Sequence, residues 1–304
     1  MQEARWILPA VVLIFVFFAV SFEEVKGQEK PGIVVGSKGF TEQLILGNMV
    51  ALLMENNGFK VDRKVGLGGT VICHEAIVRG DLNVYVEYTG AALTTILKRE
   101  VIGDPEQTYQ AVKKDYEEKF KLTWLKPLGF KEPFGIVIRK EDADRLKITK
   151  ISDLKPYAKN FVIGISIEFP ARNSVFRLLA KEYDLKFKDQ KPMDFGLVYK
   201  AIAEKQVDVT MANSTDGQIS AFNLVVLEDD PRFFGLRFVP TYYAAPVVRM
   251  DLLEKAPQVA DILNPLGGKI SEGTMTSLNY TVDGKKQVAE DVAQEFLKNR
   301  NFIK

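Results

Sequence analysis

Hydrophobic and polar positions from residue 32 onward follow two alternating patterns: short apolar runs, and longer stretches with apolar residues every three or four positions. The first pattern is typical of buried strands and the second of helices that bury one face. The predicted strands are 33–35, 59–65, 84–87, 161–165 and 207–211. The predicted helices are 41–54, 70–79, 91–99, 105–121, 174–183, 198–205, 218–222 and 288–298. This alternation predicts a parallel sheet covered by helices on both faces.

Two stretches of similar pattern, 130–139 (FKEPFGIVIR) and 240–249 (PTYYAAPVVR), each place an aromatic residue before an apolar strand that ends in arginine. If they lie side by side as hinge strands, one lobe comprises 31–132 with 240–304 and the other comprises 133–239. The chain is longer than a typical single core, so we favour two lobes over one large domain with two ordinary strands. Two connecting strands would allow the lobes to close around a ligand.

The N-terminal segment differs from the rest of the chain. Residues 7–20 are almost wholly apolar, with Arg5 before them and the small residues Val25 and Gly27 after them. The run is short for a membrane span and is typical of a signal peptide, although an uncleaved anchor would give a similar pattern. We therefore exclude 1–27 from the fold and expect the remainder to lie outside the cytoplasm, secreted or anchored through this segment.

The composition excludes several classes of function. A formal net charge of +1 provides no field suited to nucleic acid. The single cysteine, Cys73, can form neither an internal disulfide nor a thiolate metal site, and its apolar neighbours indicate a small core residue. The single histidine, His74, excludes most histidine-dependent catalysis, and we expect it on a helix near a cleft edge. The sequence predicts no metal site and no cofactor.

Charged and aromatic residues follow the predicted strands, at the edge where open α/β sheets bind ligands. Lys38 and Arg172 are cations suited to a carboxylate, which arginine can hold through two parallel hydrogen bonds. Tyr88 ends the third strand, and Phe134 and Tyr242 lie on the two presumed crossings. A quaternary ammonium has no N–H to donate, but aromatic faces attract it by about 0.5–2 kcal/mol per contact. A carboxylate clamp beside an aromatic cage would fit a betaine.

Each of these residues also has a purely structural interpretation. Lys38 could be a solvated loop lysine, and Arg172 could pair with Glu168 at the start of a helix. The three aromatic residues could be core residues, which the residues alone favour. These alternatives stay open at this point.

The motifs at these loops resemble those of the substrate-binding proteins of osmoprotectant ABC importers, which take up glycine betaine, choline and related quaternary amines. The matching stretches are GSKGFTEQLILGNM (36–49), GLGGT (66–70), VYVEYTGAAL (84–93), EFPAR (168–172), STDGQI (214–219), LVVLEDD (224–230) and AAPVVR (244–249). The resemblance covers nearly all of 31–304, in order. It implies an α/β protein with the type II periplasmic-binding-protein fold, in which two α/β lobes are joined by two hinge strands with a ligand cleft between them.

Position by position, the resemblance implies a carboxylate clamp and an aromatic cage. The clamp residues are Lys38 and Arg172, and the cage residues are Tyr88, Phe134, Asn213 and Tyr242. The chain departs from the family at Asn213 and Phe134, which stand where the family has tyrosine, and at Ala91, which replaces a carboxylate-binding threonine. A cage with three aromatic walls should hold a trimethylammonium group less tightly, and Asn213 adds hydrogen-bonding capacity.

The resemblance therefore predicts an extracytoplasmic, monomeric solute-binding protein. It would capture a small zwitterionic or cationic solute such as glycine betaine and deliver it to an ABC permease driven by a cytoplasmic ATPase. Ergothioneine, carnitine and choline are alternative ligands. An enzyme or a sensor ectodomain on the same fold is less favoured; for the enzyme, nothing orients a nucleophile or a base.

Overall fold

The computed structural model describes residues 30–131, 134–166, 170–228 and 243–304, in which ten strands form two five-stranded sheets. The first sheet contains β1 (Ile33–Gly36), β2 (Val61–Lys64), β3 (Val84–Tyr88), β4 (Leu122–Trp124) and β10 (Ala244–Arg249). The second contains β5 (Phe134–Arg139), β6 (Val162–Ser166), β7 (Asp189–Met193), β8 (Val209–Asn213) and β9 (Leu224–Val226). The strand orders are β2-β1-β3-β10-β4 and β7-β6-β8-β5-β9. Each sheet with the helices packed on it forms a lobe, lobe one and lobe two respectively.

Helices connect the strands of each sheet. The helices that precede β10 along the chain are α1 (Thr41–Asn56), α2 (Thr70–Arg79), α3 (Thr89–Ala91), α4 (Pro105–Phe120), α5 (Lys140–Leu146), α6 (Pro170–Glu182), α7 (Phe195–Ala203) and α8 (Gly217–Ala221). After β10 come α9 (Met250–Lys255), α10 (Gln258–Leu263), α11 (Glu272–Asp283) and α12 (Ala289–Asn299). Local sequence explains several helix ends: the Asp104 side chain caps α4 by accepting from the Gln107 N–H, and Gly80 ends α2 in the left-handed conformation.

Both sheets are mixed, whereas the strand pattern predicted a parallel sheet. In lobe one, β1 pairs in parallel with β2 and β3, whereas β10 runs antiparallel to β3 and β4. In lobe two, β6 is parallel to β7 and β8, whereas β5 runs antiparallel to β8 and β9. The reason is where β5 and β10 begin. Each starts opposite the carboxyl end of a neighbouring parallel strand and must therefore run in the opposite direction.

Lys131 and Tyr243, the described residues that flank the two connections between the lobes, lie side by side. Lys131 and Tyr243 form an antiparallel bridge. The Thr89 N–H donates to the Tyr243 carbonyl at 3.0 Å, and the Tyr243 N–H donates to Thr89 Oγ1 at 3.2 Å. This is the arrangement that the hinge-strand hypothesis requires. The predicted lobe bounds stay a prediction, because residues 132–133 and 229–242 lie outside the described residues.

Each lobe buries its own apolar side chains, and one of these clusters in lobe one contains Cys73. The prediction for Cys73 is confirmed: it is buried, and burial raises the pKa of its thiol to about 12. His74 lies on α2, as predicted, and its position near a cleft edge stays a prediction. Its ring packs edge-on against Tyr116 and Phe120, with centroids 5.3 and 4.6 Å away, and burial lowers the imidazole pKa.

Among the described residues, no helix combines the length and the apolar character that a bilayer span requires. The predicted leader or anchor, 1–27, lies outside the described residues and stays a prediction.

Candidate functional site

Lys38 lies on the loop after β1, which is braced by the loop after β2. The Ser37 Oγ accepts from the Gly66 N–H at 3.0 Å, and the Ser37 carbonyl accepts from the Leu67 N–H at 3.0 Å. These bonds hold both loops at the carboxyl edge of the sheet. The Lys38 side chain is only 1% exposed, so its interpretation as a solvated loop lysine is wrong.

The Lys38 ammonium belongs to a buried ion pair. Its Nζ contacts a carboxylate oxygen of the fully buried Glu87 and donates to Thr70 Oγ1 at 3.0 Å. The same Nζ lies 4.5 Å from the centre of the Tyr88 ring, within the range of cation–π attraction. Buried charges persist where they are paired and hydrogen-bonded. The charge of Lys38 is therefore compensated within lobe one.

Tyr88 belongs both to the apolar core of lobe one and to this polar cluster. It ends β3, is 2% exposed and stacks with Phe40, the ring centroids being 6.3 Å apart. Its hydroxyl donates to Glu42 Oε1 at 2.6 Å. The ring is thus held at its face by an ammonium and at its hydroxyl by a carboxylate.

Glu42 lies on the first turn of α1 and connects Tyr88 to lobe two. Its other oxygen, Oε2, accepts from Thr215 Oγ1 at 2.8 Å and from Asn279 Nδ2 at 3.0 Å. Complete burial raises the pKa of Glu42, while hydrogen bonds from Tyr88, Thr215 and Asn279 and the charge of Lys38 act in the opposite direction. Three donors from distant parts of the chain thus converge on one buried carboxyl group.

The positions predicted in lobe two lie at the carboxyl edge of its sheet. Asn213 ends β8, is fully buried and lies directly opposite Phe134, the first residue of β5, in antiparallel register. The Asn213 N–H donates to an Asp216 carboxylate oxygen at 3.2 Å. Arg172 lies in the first turn of α6, the helix that follows β6. The backbone therefore places three predicted site positions on neighbouring elements.

The structure brings two of the six predicted site residues, Lys38 and Tyr88, into direct contact. Glu42 links Tyr88 to Thr215, which lies two residues after Asn213 along the chain. Tyr242 and Glu168 lie outside the described residues. As ligand contacts, all six residues stay a prediction.

Sequence reasoning missed the polar residues that support the site. These are Glu42, Glu87 and Asn279. A signal existed for Glu87, because an acidic residue inside the apolar run 84–88 requires a buried cationic partner. No comparable signal existed for Asn279, because the helix that carries it was not predicted.

The family model described as the substrate binding domain of the ABC-type glycine betaine transport system matches residues 31–299. The chain belongs to this family. The carnitine transport binding protein OpuCC of Listeria monocytogenes (strain 10403S) is 35% identical over 280 residues, which cover 91% of this chain and 89% of that protein. The ergothioneine transport permease/ergothioneine binding protein EgtU of Helicobacter pylori (strain G27) is 37% identical over 271 residues, 89% of this chain and 48% of that protein.

Solved structures agree with the family assignment. The crystal structure of a glycine betaine/carnitine/choline ABC transporter matches with a TM-score of 0.73 at 33% identity, covering 89% of this chain and 99% of that chain. Apo YehZ from Escherichia coli matches with a TM-score of 0.66 at 32% identity, covering 89% of this chain and 99% of that chain. The predicted type II periplasmic-binding-protein fold is confirmed.

Family membership also confirms the predicted role in transport. The protein is an extracytoplasmic substrate-binding protein of an ABC importer, with a small solute as its ligand and a permease as its partner. The proteins of this family bind solutes for transport and are not enzymes.

Proposed function

We propose that the solute carries a quaternary ammonium and a carboxylate, with glycine betaine as the first candidate and carnitine and ergothioneine as alternatives; choline, which has the quaternary ammonium but no carboxylate, is a further alternative. Relatives named for carnitine, ergothioneine and glycine betaine are 35%, 37% and 32% identical to this chain. The observation that carries the proposal is the ammonium of Lys38, 4.5 Å from the centre of the Tyr88 ring. The contact shows that the Tyr88 ring lies where its face attracts a cation, and the cationic end of the solute requires contacts of this kind.

The compensated charge of Lys38 assigns different roles to the two predicted clamp residues. Glu87 already neutralises Lys38, so Arg172 of lobe two would carry most of the attraction for the carboxylate. Tyr88, Phe134 and Tyr242 would surround the cationic end, and Asn213 would tune selectivity. Closure of the lobes would then bury the solute between them, and the permease would recognise the closed form.

We also propose a leader or anchor in residues 1–27 and a monomeric protein that delivers its solute to a permease driven by a cytoplasmic ATPase. The apolar run at 7–20 supports the leader or anchor. The name of the Helicobacter pylori relative describes both a permease and a binding protein, and this supports a permease as the partner.

A thermal-shift panel tests the ligand class. Purified protein would be heated with glycine betaine, carnitine, choline, ergothioneine and, as a control, uncharged sugars. A compound at a hundredfold excess over its Kd should stabilise the fold by about 2.7 kcal/mol. We expect such a shift from at least one of the four quaternary amines and none from the sugars. A panel without any shift from the four would contradict the proposal.

Replacing Arg172 with alanine should abolish measurable binding of glycine betaine, because the carboxylate would lose its charged partner at a cost of about 2–5 kcal/mol. Choline has no carboxylate, so any choline binding should change little. Isothermal titration calorimetry measures both. Arg177→Ala, which removes an exposed arginine from the same helix, is the matched control and should leave both affinities unchanged. Equal affinity of Arg172→Ala and the original protein for glycine betaine would contradict the clamp.

A further inference from the structure

The Glu42 carboxylate is shared between a side chain of the proposed ligand site and a side chain of the opposite lobe. Oε1 accepts from the Tyr88 hydroxyl, and Oε2 accepts from Thr215 Oγ1 and Asn279 Nδ2. Glu42, Thr215 and Asn279 are each at most 1% exposed. Water therefore does not replace any of these donors while the arrangement holds.

These residues come from different lobes. Glu42 lies on α1, which packs against β1, α11 and α12 in lobe one, and Asn279 lies on α11. Thr215 follows β8, a central strand of the lobe two sheet. The bond between Glu42 and Thr215 thus crosses from one lobe to the other, as does the bond from Asn279 Nδ2 to the Thr215 carbonyl at 2.9 Å.

We propose that Glu42 is a positioning residue that couples the orientation of the Tyr88 ring to the position of lobe two. The inference rests on the proposed function in one respect, the role of Tyr88 as a wall of the ligand site. Movement of Thr215 away from Glu42 removes a donor from a buried carboxylate, which is costly. The carboxylate then shifts toward its remaining donors, and the Tyr88 hydroxyl that is bonded to it moves with it.

The coupling acts in both directions. A solute that fixes the Tyr88 ring also fixes Glu42 in the position that Thr215 can reach. It therefore favours the joined arrangement of the lobes, in which Thr215 of lobe two is bonded to Glu42 of lobe one. By linkage, an arrangement that joins the lobes favours the ring position that binds the solute, by the same factor. Glu42 therefore transmits occupancy of the site to the relative position of the lobes, without touching the solute.

Thr215→Val tests this coupling, because valine keeps the shape of threonine and removes only the hydroxyl. We expect the Kd for glycine betaine to rise about tenfold, the loss expected for one buried hydrogen bond. Thr215→Ser restores the donor and should bind within about twofold of the original protein. The matched control is Thr210→Val on β8, the strand before Thr215, which also removes a fully buried hydroxyl, one that donates to the Gly164 carbonyl at 3.1 Å. It should lower the melting temperature but leave the Kd unchanged.

A double-mutant cycle separates coupling from a loss of stability. Tyr88→Phe removes the other end of the link, so Tyr88→Phe combined with Thr215→Val should raise the Kd by clearly less than the product of the two single effects. Combined with Thr210→Val, Tyr88→Phe should act independently. An unchanged Kd in Thr215→Val, or independent effects of Tyr88→Phe and Thr215→Val, would overturn the coupling.

Small-angle X-ray scattering without any solute distinguishes failure of the coupling from failure of the proposed function. We expect Thr215→Val to have a larger radius of gyration than the original protein and than Thr210→Val, because one of the bonds between the lobes is lost. If the original protein binds none of glycine betaine, carnitine, choline or ergothioneine, the proposed function fails while the scattering still tests the link. Identical scattering from all three proteins would overturn the link between the lobes.

Discussion

Lys38→Met is expected to lower the free energy of unfolding by about 3–5 kcal/mol, because it leaves the carboxylate of Glu87 buried without its charged partner. Glu87 is fully buried, and its other contacts are hydrogen bonds from the Tyr88 N–H at 2.7 Å and from the Tyr85 hydroxyl at 3.4 Å. Neither donor carries a charge. Urea denaturation of the solute-free protein measures the effect apart from any change in binding.

A double replacement distinguishes the loss of the pair from simple loss of packing. Lys38→Met with Glu87→Leu removes both charges, and replacing a whole buried pair with apolar side chains is often close to neutral. We therefore expect the double variant to be more stable than either single variant. As a surface control, Lys140→Met breaks a pair with Asp144 at 2.9 Å, with half or more of each side chain exposed, and should cost at most about 1 kcal/mol. Additive losses in the double variant would contradict a paired role for Lys38.

The double variant also separates the two clamp residues. If Lys38 serves only to pair with Glu87, glycine betaine should bind to the double variant nearly as well as to the original protein, with Arg172 holding the carboxylate. If Lys38 also contacts the carboxylate, the affinity should fall while the fold is retained. Calorimetry at a temperature where both proteins are folded decides between these results.

Strand β3 is one that the sequence predicted well, because it is buried on both faces. All five residues of β3 are buried, and an apolar run is the expected signature of such a strand. In contrast, β7 has the sequence DQKPM, four of its residues are exposed, and it lies at the edge of the lobe two sheet. An edge strand needs no apolar face to form its ladder, so its polar residues gave no periodic signal.

Two helical segments show the limits of periodicity. The sequence predicted a helix at 91–99, but α3 ends at Ala91 and a wide π-type turn, Ala92–Ile96, follows it. There the Thr94 hydroxyl donates to the Gly90 carbonyl, a side-chain bond that apolar spacing does not reveal. Helix α11 was missed because few of its residues are apolar, although Ser271 caps it by accepting from the Thr274 N–H.

The sequence predicted the part of the candidate site that depends on strand topology. It did not predict which side chains form hydrogen bonds with one another there. Loops after parallel strands meet at one edge, so the convergence of Lys38 and Tyr88 followed from the strand pattern. The partners of Glu42 could not be inferred in this way. Thr215 and Asn279 are 173 and 237 residues away along the chain, and neither carries a charge that would require a partner.

Gly217→Ala is expected to destabilise the protein by about 1–3 kcal/mol and to weaken solute binding, because no side chain fits between α8 and α11. A Cβ at this position would lie 2.3 Å from the carbonyl carbon of Asn279 and 2.4 Å from the backbone nitrogen of Tyr280. Both are backbone atoms and cannot rotate away, so one helix must move. Gly217 is not among the residues with positive φ, and the expected effect is therefore steric.

The separation of α8 from α11 in Gly217→Ala should also weaken solute binding. Helix α8 follows the loop that carries Thr215, and α11 carries Asn279, so separating the helices lengthens the bonds that hold lobe two to Glu42. Gly273→Ala on α11 is the matched control, because no atom beyond its chain neighbours and its own helix backbone lies within 4 Å of its added Cβ. Alanine there should stabilise the helix by about 0.4–1 kcal/mol and leave the affinity unchanged. Thermal unfolding and calorimetry on both variants test this. A Gly217→Ala variant as stable and as tightly binding as the original protein would show that the lobes tolerate separation at this contact.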